Sequence, residues 1–344
     1  MYSFINDYSE GAHPKIMEAL NNTNLEQTVG YGFDPYCQKA RELIKKACAA
    51  PSAAVYFLMG GTQTNQTVIS ALLRPHQGVY GAVTSHINTH EAGAIEHVGH
   101  KVLAIETSDG KLTAEGIAKA YQRYKNDPTH LHWVQPKMVY ISQPTEIGTL
   151  YHKKELAALY KVCQKHQLYL YIDGARLGYA LNAIGNDLTL PALAKLCDLF
   201  YIGGTKCGAL LGEALVITNP ALQPDFFTLM KQSGAVLAKG RILGLQFMTL
   251  FANNLYGKIC KAAVSQAAAI LKVIKEKGWQ VIADSPTNQI FLVMPNAALK
   301  KLSKSFLLDV GEKYDKQHTI VRICTSWCTQ PEQVEKLLAA LQRV

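Results

Sequence analysis

The sequence predicts an α/β fold, with a mostly parallel sheet flanked by helices and a small α+β domain at the C terminus. From about residue 50, short apolar runs alternate with stretches of helical periodicity, which is typical of successive strand–helix units. Beyond about Gly240 this alternation ends and a long Ala-, Leu- and Lys-rich helical stretch follows. We therefore divide the chain into a large domain with a short N-terminal arm, residues 1–242, and a small domain, residues 243–344.

The elements are predicted from apolar, β-rich runs for strands and from a 3.6-residue apolar period for helices. The predicted strands of the large domain are residues 54–58, 78–83, 102–105, 138–142, 168–172, 199–202 and 215–217. The predicted helices between them are residues 64–73, 90–97, 114–125 and 153–166. In the small domain a helix over 243–277 precedes strands at 289–294 and 319–323 and a helix over 331–342.

Composition narrows the class of protein. The chain has 344 residues, of which 48% are hydrophobic and 18% charged, as in ordinary globular proteins. Its start lacks a basic segment followed by an apolar core, so we expect no signal peptide, and no apolar stretch approaches the length of a bilayer span. The net charge of +9 is dispersed over lysines without a long basic run, which favours a solvated surface and anionic small ligands over nucleic acid.

The eight cysteines, at positions 37, 48, 163, 197, 207, 260, 324 and 328, lack the paired close spacings of a zinc site. We interpret them as reduced, mostly buried thiols of a cytoplasmic protein, and we expect no metal.

Two apolar runs end in groups of complementary chemistry. The run at 168–172 leads into Asp173, and the run at 199–202 leads through Gly-Gly-Thr205 into Lys206. In an open α/β sheet, groups just past the carboxyl ends of strands line the ligand crevice. A lysine there can form a Schiff base with a carbonyl cofactor, and an aspartate can keep a pyridine nitrogen protonated. The pair predicts a pyridoxal phosphate site, against the alternative of a surface lysine and a helix-capping aspartate.

A glycine-rich turn after the first predicted strand fits the phosphate of this cofactor. Gly60 and Gly61 open a helix whose first N–H groups can bind an anion, and Thr62 and Gln63 can add side-chain donors. The segment is neither a Walker A motif nor a dinucleotide fingerprint. Taken alone, the segment is better explained as a glycine-rich turn in which Thr62 caps the helix.

Two histidines and two arginines complete the candidate site. His86 follows a strand and can lie on a pyridine ring or act as a base, whereas His132 precedes the next strand and is placed less well by spacing. Arg176 comes three residues after Asp173, and Arg322 lies in an apolar C-terminal strand where it needs an anionic partner unless it faces solvent. Arginine binds carboxylates through paired hydrogen bonds, so both are candidates for an amino-acid carboxylate.

In order along the chain, several segments resemble the threonine aldolase family of fold type I pyridoxal phosphate enzymes, which have the aspartate aminotransferase-like fold. They are Asn6-Asp7-Tyr8, Gly11-Ala-His-Pro14, Gly30 to Pro35, Gly61-Thr62, Ser85-His86-Ile87, Glu91, His132, Asp173-Gly-Ala-Arg176, Thr205-Lys206 and Arg322. The resemblance runs nearly end to end. It departs from the family at Thr205, at Cys207-Gly208 and at Ser142 to Glu146.

The resemblance implies roles for single residues. Lys206 would bind the cofactor covalently, Asp173 would pair with its ring nitrogen and His86 would stack on the ring. Gly61 and Thr62 would hold the phosphate. Three residues would bind the substrate carboxylate, namely Asn6, Arg176 and Arg322. The family also implies a homotetramer, a dimer of dimers with shared active sites, in which Tyr31, Lys231 and Arg241 reach into a neighbouring subunit.

The activity that the resemblance implies is cleavage of β-hydroxy-α-amino acids, L-threonine and L-allo-threonine, to glycine and an aldehyde, with His86 or His132 as the base. Two alternatives stay open among enzymes: a β-eliminating lyase and a phenylserine aldolase. A protein that uses this fold only for binding or assembly is a third, which the intact Lys206 and Asp173 disfavour.

Overall fold

The computed structural model describes residues 1–344. Its strands are β1 (Tyr2–Ser3), β2 (Ala54–Leu58), β3 (Gln77–Ala82), β4 (Val102–Ile105), β5 (Gln135–Ser142), β6 (Tyr169–Asp173), β7 (Leu199–Gly203), β8 (Glu213–Ile217), β9 (Gln289–Pro295), β10 (Phe306–Leu307), β11 (Asp309–Lys313) and β12 (His318–Cys324). Its helices are α1 (Pro14–Asn22), α2 (Pro35–Ala47), α3 (Gly61–Leu72), α4 (His86–Thr89), α5 (Ala94–His97), α6 (Ala114–Asn126), α7 (Lys153–Lys165), α8 (Leu177–Leu181), α9 (Leu190–Lys195), α10 (Phe226–Gln232), α11 (Arg241–Phe251), α12 (Leu255–Glu276), α13 (Asn296–Leu302) and α14 (Pro331–Gln342).

Seven strands form the main sheet in the order β2-β8-β7-β6-β5-β3-β4. Strands β3 to β7 are parallel, and β8 runs antiparallel to its neighbours β2 and β7. The carboxyl ends of β2, β3, β5, β6 and β7 therefore lie at one edge, where β8 begins. The predicted mostly parallel α/β sheet is confirmed.

Both faces of this sheet are buried, which explains why its strands read as continuous apolar runs. In β6, Leu170 and Ile172 belong to one apolar core. Tyr171 between them belongs to the core on the other face, together with Tyr140 and Tyr201. The helices divide between the two faces, so every inner strand is covered on both sides.

The small domain has a three-stranded antiparallel sheet in the order β11-β12-β9, and the N-terminal β1 pairs with β10. Its core combines these strands with the second half of α12 and with α14. Strand β11 was not predicted, because the segment Asp309-Val-Gly-Glu-Lys313 is an exposed edge strand without apolar alternation.

Two predicted helices are interrupted. In each case the interruption lies at residues with a left-handed backbone conformation, which a right-handed helix excludes. The predicted helix at 90–97 is replaced by α4 and α5, separated by Ala92 and Gly93 with φ of 51° and 72°. The predicted helix at 243–277 is broken between α11 and α12, where Asn253 and Asn254 have φ of 53° and 55°. The first half of α12 packs in the core of the large domain and its second half in that of the small domain. The domain boundary at residues 242 and 243 stays a prediction.

No helix combines the length and the apolar character needed to cross a bilayer. All eight cysteines are free thiols, and seven of them are buried. No group of three or more His, Cys, Asp or Glu side chains is arranged to hold a metal ion.

Candidate active site

A cavity of about 250 Å³ opens at the edge where the parallel strands end. The predicted site residues that line it are Gly61, Thr62, His86, Asp173, Arg176, Thr205 and Lys206. Their convergence follows from the strand order, because each comes from the end of β2, β3, β6 or β7. A larger cavity, of about 870 Å³, lies beside α12 and contains none of the predicted site residues.

Asp173 is a buried carboxylate with four hydrogen-bond donors. Its Oδ2 accepts from the Tyr140 hydroxyl at 2.6 Å and from Asn65 Nδ2 at 3.1 Å. Its Oδ1 accepts from the Tyr201 hydroxyl and from the Ala175 N–H at 2.9 Å. Burial by itself raises its pKa, but the nearby His86 and these donors outweigh it and hold the pKa below the usual range. The side chain is therefore kept ionised inside the protein.

Lys206 lies in the turn after β7, and its side chain lines the cavity. Its carbonyl oxygen accepts from the Tyr179 hydroxyl at 2.5 Å, which fixes the backbone. Its Nζ lies 5.9 Å from the centre of the Tyr8 ring. Burial and the charge of Arg176 lower the pKa of the amine, against the opposing effect of three carboxyl groups. A lowered pKa increases the share of the neutral, nucleophilic amine at neutral pH.

His86 is oriented by a chain of buried polar groups that leads to Asp173. Its Nδ1 lies 2.7 Å from Glu91 Oε1, which also accepts from Asn65 Nδ2 at 2.7 Å. Asn65 in turn donates to Asp173. Because Glu91 accepts a hydrogen bond, it favours the tautomer with the proton on Nδ1, which leaves Nε2 as a proton acceptor.

The first turn of α3 is open to the cavity and suited to an anion. Gly60 precedes the helix, and a Cβ added to it would meet nothing within 4 Å. The first N–H groups of a helix have no partner within the helix and carry its positive dipole end. Gln63 was predicted to donate to the phosphate. Its Oε1 instead accepts a hydrogen bond from the Met59 N–H at 3.0 Å and thereby caps the end of β2.

Arg176 forms a bidentate ion pair that the sequence analysis did not anticipate. Its Nε and Nη2 donate to Asp7 of the N-terminal arm at 2.7 and 2.9 Å. Asp7 is fully buried and also accepts from Asn288 Nδ2 at 2.8 Å. Although burial opposes ionisation, the charge and hydrogen bonds of Arg176 lower the pKa of Asp7. Only the remaining donors of Arg176 are free for a ligand in the cavity.

Arg322 and Asn6 are next to the N-terminal arm and do not line the cavity. Arg322 donates to Gln289 Oε1 at 3.1 Å and to the Ile5 carbonyl at 3.2 Å, and it pairs with Asp309 at 2.7 Å. The anionic partner that its apolar strand requires is thus supplied by the neighbouring strand β11. Its Nε is buried without a partner. Asn6 Oδ1 accepts from the Tyr8 N–H and the Ser9 hydroxyl, which stabilises the arm.

Four predicted residues lie away from the cavity of their own chain. His132 is in a short 3₁₀ helix before β5, at the opposite edge of the sheet. This geometry does not support catalysis by His132 in its own subunit and leaves His86 as the histidine at the cavity. Lys231 Nζ lies 4.3 Å from the centre of the Tyr31 ring, and Arg241 Nη1 donates to the Glu26 carbonyl at 3.1 Å.

Two further carboxyl groups line the cavity, those of Glu146 and Glu213, and neither was predicted as a site residue from the sequence. Glu146 Oε1 accepts from the His86 N–H at 2.8 Å and the Ser142 hydroxyl at 2.6 Å, and burial raises its pKa. Glu213 is the first residue of the otherwise apolar β8. A lone acid at the start of a fully buried strand is a signal that could have identified it.

The site can hold a small anionic ring compound that reacts with an amine. An ionised buried carboxylate, a partly buried lysine of lowered pKa and an open helix start meet in one cavity. These groups fit the pyridine nitrogen, the aldehyde and the phosphate of the cofactor that the sequence predicts.

Comparisons with known proteins agree with this geometry. A family model described as β-eliminating lyase matches residues 4–296. A low specificity L-threonine aldolase from Pseudomonas sp. (strain NCIMB 10558) is 27% identical over 347 residues, which covers 99% of this chain and 97% of that protein. A solved structure of Leishmania major threonine aldolase is 42% identical, covers 100% of this chain and 99% of its own, and has a TM-score of 0.96. A Thermus thermophilus aspartate aminotransferase mutant, at 15% identity, with a TM-score of 0.71 and coverage of 100% and 91%, shares the fold.

We expect Asp7→Ala to destabilise the protein by about 3–5 kcal/mol, because Arg176 would remain buried without its partner. Urea unfolding at neutral pH measures this loss. The matched control is Asp284→Ala, which breaks an exposed pair with Lys275 and should change the free energy of unfolding by about 0–1 kcal/mol. Equal effects of the two variants would contradict the structural role of Asp7.

Proposed function

Because this chain belongs to the β-eliminating lyase family, and within it to the threonine aldolases, we propose that it cleaves β-hydroxy-α-amino acids to glycine and an aldehyde with pyridoxal phosphate as cofactor. The substrates proposed are L-threonine and L-allo-threonine. The observation that carries the proposal is the meeting of Lys206, Asp173 and the open start of α3 in one cavity. A β-eliminating lyase shares the cofactor but must remove the α-proton, so products distinguish the two.

The residues that would hold the cofactor lie at the carboxyl ends of β2, β3, β6 and β7 or in the segments that follow them. Lys206 would bind its aldehyde, Asp173 its ring nitrogen, and the N–H groups of Gly61 and Thr62 its phosphate, with Thr205 and Gln63 nearby. His86 would cover one face of the ring. When bound, the cofactor supplies the electron sink for the bond that breaks.

The remaining residues would bind and orient the substrate. The donors of Arg176 that Asp7 leaves free would hold the substrate carboxylate in the cavity. Arg322 and Asn6, which do not line the cavity, are proposed to assist on the strength of the family resemblance. Burial and the charges of His86, Arg322 and Lys206 lower the pKa of His90, which supports a location of all three side chains near His90. Because the Nδ1–H of His86 donates a hydrogen bond to Glu91, its Nε2 is available to take the β-hydroxyl proton, directly or through water.

We also propose a homotetramer, a dimer of dimers, in which Tyr31, Lys231 and Arg241 contribute to the site of a neighbouring subunit. Supporting this, the segment around Tyr31 exposes three apolar side chains, Leu25, Val29 and Phe33. Apolar surface of this kind is characteristic of an interface. The free cysteines support a reducing, cytoplasmic location.

The proposed activity is tested with purified protein and pyridoxal phosphate against L-threonine, L-allo-threonine, phenylserine and D-threonine. We expect equal amounts of glycine and acetaldehyde from L-threonine and L-allo-threonine. Formation of 2-oxobutyrate and ammonia would instead indicate a β-eliminating lyase. Cleavage of phenylserine alone would indicate a phenylserine aldolase.

We expect Lys206→Ala to lower turnover by roughly 10²–10⁴-fold, the range for loss of a positioned proton-transfer group, and to abolish covalent retention of the cofactor. Borohydride reduction followed by peptide mass analysis measures the covalent link. Lys195→Ala, at an exposed position on α9, is the control and should keep both properties. A cofactor still attached to the Lys206→Ala protein would identify another lysine as its site.

We expect Arg322→Ala to lower kcat/KM for threonine by roughly 30- to 1,000-fold, corresponding to about 2–4 kcal/mol for lost charged hydrogen bonds, while cofactor affinity stays unchanged. Steady-state kinetics and a cofactor titration on the same protein measure the two effects. The control is Arg123→Ala on the exposed face of α6.

A second variant, Asp309→Ala, distinguishes substrate binding by Arg322 from its role in the fold, because it removes the ion-pair partner of Arg322 and keeps the guanidinium group. Lost stability in both variants with unchanged kinetics would show that Arg322 acts only in the fold of the small domain.

A further inference from the structure

Glu213 is a buried carboxyl group next to the turn that carries Lys206. In the sheet it is paired with Gly203 on one side and with Leu58 on the other. The rest of its strand, residues 214–217, is apolar and buried. Its side chain lines the same cavity as Lys206 and Asp173. Burial of a carboxyl group in such a place costs free energy unless hydrogen bonds compensate for the lost hydration.

These contacts hold the turn after β7. Glu213 Oε2 accepts from the Gly204 N–H at 3.0 Å. The Gly212 carbonyl accepts from the N–H groups of Gly204 and Thr205, both at 3.0 Å, and the Gly212 N–H donates to Thr205 Oγ1 at 3.0 Å. Glu213 and its predecessor thus fix the two residues that precede Lys206.

Three carboxyl groups, those of Asp7, Asp173 and Glu213, favour the charged form of the Lys206 amine. Asp7 is held ionised by its bidentate pair with Arg176, and Asp173 by four donors including Tyr140 and Tyr201. Glu213 has no cationic hydrogen-bond partner. Burial therefore raises its pKa to about 8, so that it is the member of the three whose charge changes near neutral pH.

The charge of Lys206 lowers the pKa of Glu213 and that of Asp173 raises it. The remaining titratable groups that face Glu213 do not change charge in this range. They are the hydroxyls of Tyr171, Tyr201 and Tyr256, for each of which burial raises the pKa well above its usual value. Arg176, whose charge opposes protonation of Lys206, stays ionised because Asp7 offsets the effect of its burial. Of the three carboxyl groups that favour the charged form of Lys206, Glu213 is thus the one whose charge varies near neutral pH.

We propose that Glu213 is a positioning residue for Lys206: its carboxyl group fixes the turn that carries the lysine, and in its ionised form it adds a negative charge to the same cavity that favours the charged form of the lysine nitrogen. The inference deepens the proposed function and rests on it, since Lys206 is there the cofactor-binding lysine. The step involves only a proton, which leaves the Glu213 carboxyl group for solvent as pH rises.

The first test is a pH titration of the near-ultraviolet and visible absorbance of the cofactor-loaded protein. Glu213→Gln keeps an acceptor for the Gly204 N–H and removes the charge, and Glu213→Ala removes both. In each variant the midpoint of the spectral change should move down by about one pH unit, because a negative charge no longer stabilises the protonated lysine nitrogen. An unchanged midpoint in either variant would overturn the proposal.

The matched control is Glu146→Gln, which also removes a buried carboxyl group of the same cavity. Glu146 hydrogen-bonds to His86 and Ser142, and it is not among the groups that chiefly set the pKa of Lys206. Its midpoint should stay near that of the unsubstituted protein. A shift as large as that of Glu213→Gln would overturn the specific role of Glu213.

A second test needs no cofactor, so it separates failure of this inference from failure of the proposed function. Because the folded-state pKa of Glu213 is raised, the stability that its protonated form contributes is fully present below the unfolded-state pKa and is lost as pH rises through about 8. Urea unfolding from pH 5 to 9 should show Glu213→Gln gaining stability relative to the unsubstituted protein over this window. A constant difference would overturn the inference, whereas a protein that never binds the cofactor would contradict the proposed function alone.

Discussion

The burial of an ionised carboxylate at Asp173 is the constraint on which the rest of the site depends. Four donors from β5, β7, α3 and the following turn surround it, so neighbouring elements must be in register before the charge is tolerated. Asn65 then links it to Glu91, and Glu91 orients His86. The position of the histidine is thereby a consequence of the same buried charge.

A second buried charge joins distant parts of the chain. Asp7 of the N-terminal arm pairs with Arg176 of the large domain and accepts from Asn288 of the small domain. The arm also adds β1 to the strand β10. The arm, the large domain and the small domain must therefore all be folded before Arg176 presents its remaining donors to the cavity. The catalytic geometry and the assembly of the domains depend on the same contacts.

The charges in the cavity are balanced by differences in environment. Asp173 and Asp7 have strong donors and stay ionised, whereas burial raises the pKa of Glu146 and Glu213. If all four carboxyl groups were charged, their repulsion would disfavour a phosphate and a substrate carboxylate in the same cavity. Asp173 thus provides fixed negative charge in the cavity, whereas burial makes ionisation of Glu146 and Glu213 less favourable.

The sequence by itself determined the fold class, most elements and the residues at the strand ends. The apolar runs that lead into Asp173 and Lys206 were sufficient to predict that these two side chains meet, because parallel strands bring their carboxyl ends to one edge of the sheet. It did not reveal that Arg176 binds Asp7 or that Arg322 pairs with Asp309. Only the tertiary structure decided these points, and the role of Glu213, because hydrogen bonds and the cost of burial depend on neighbours that are far apart in the chain.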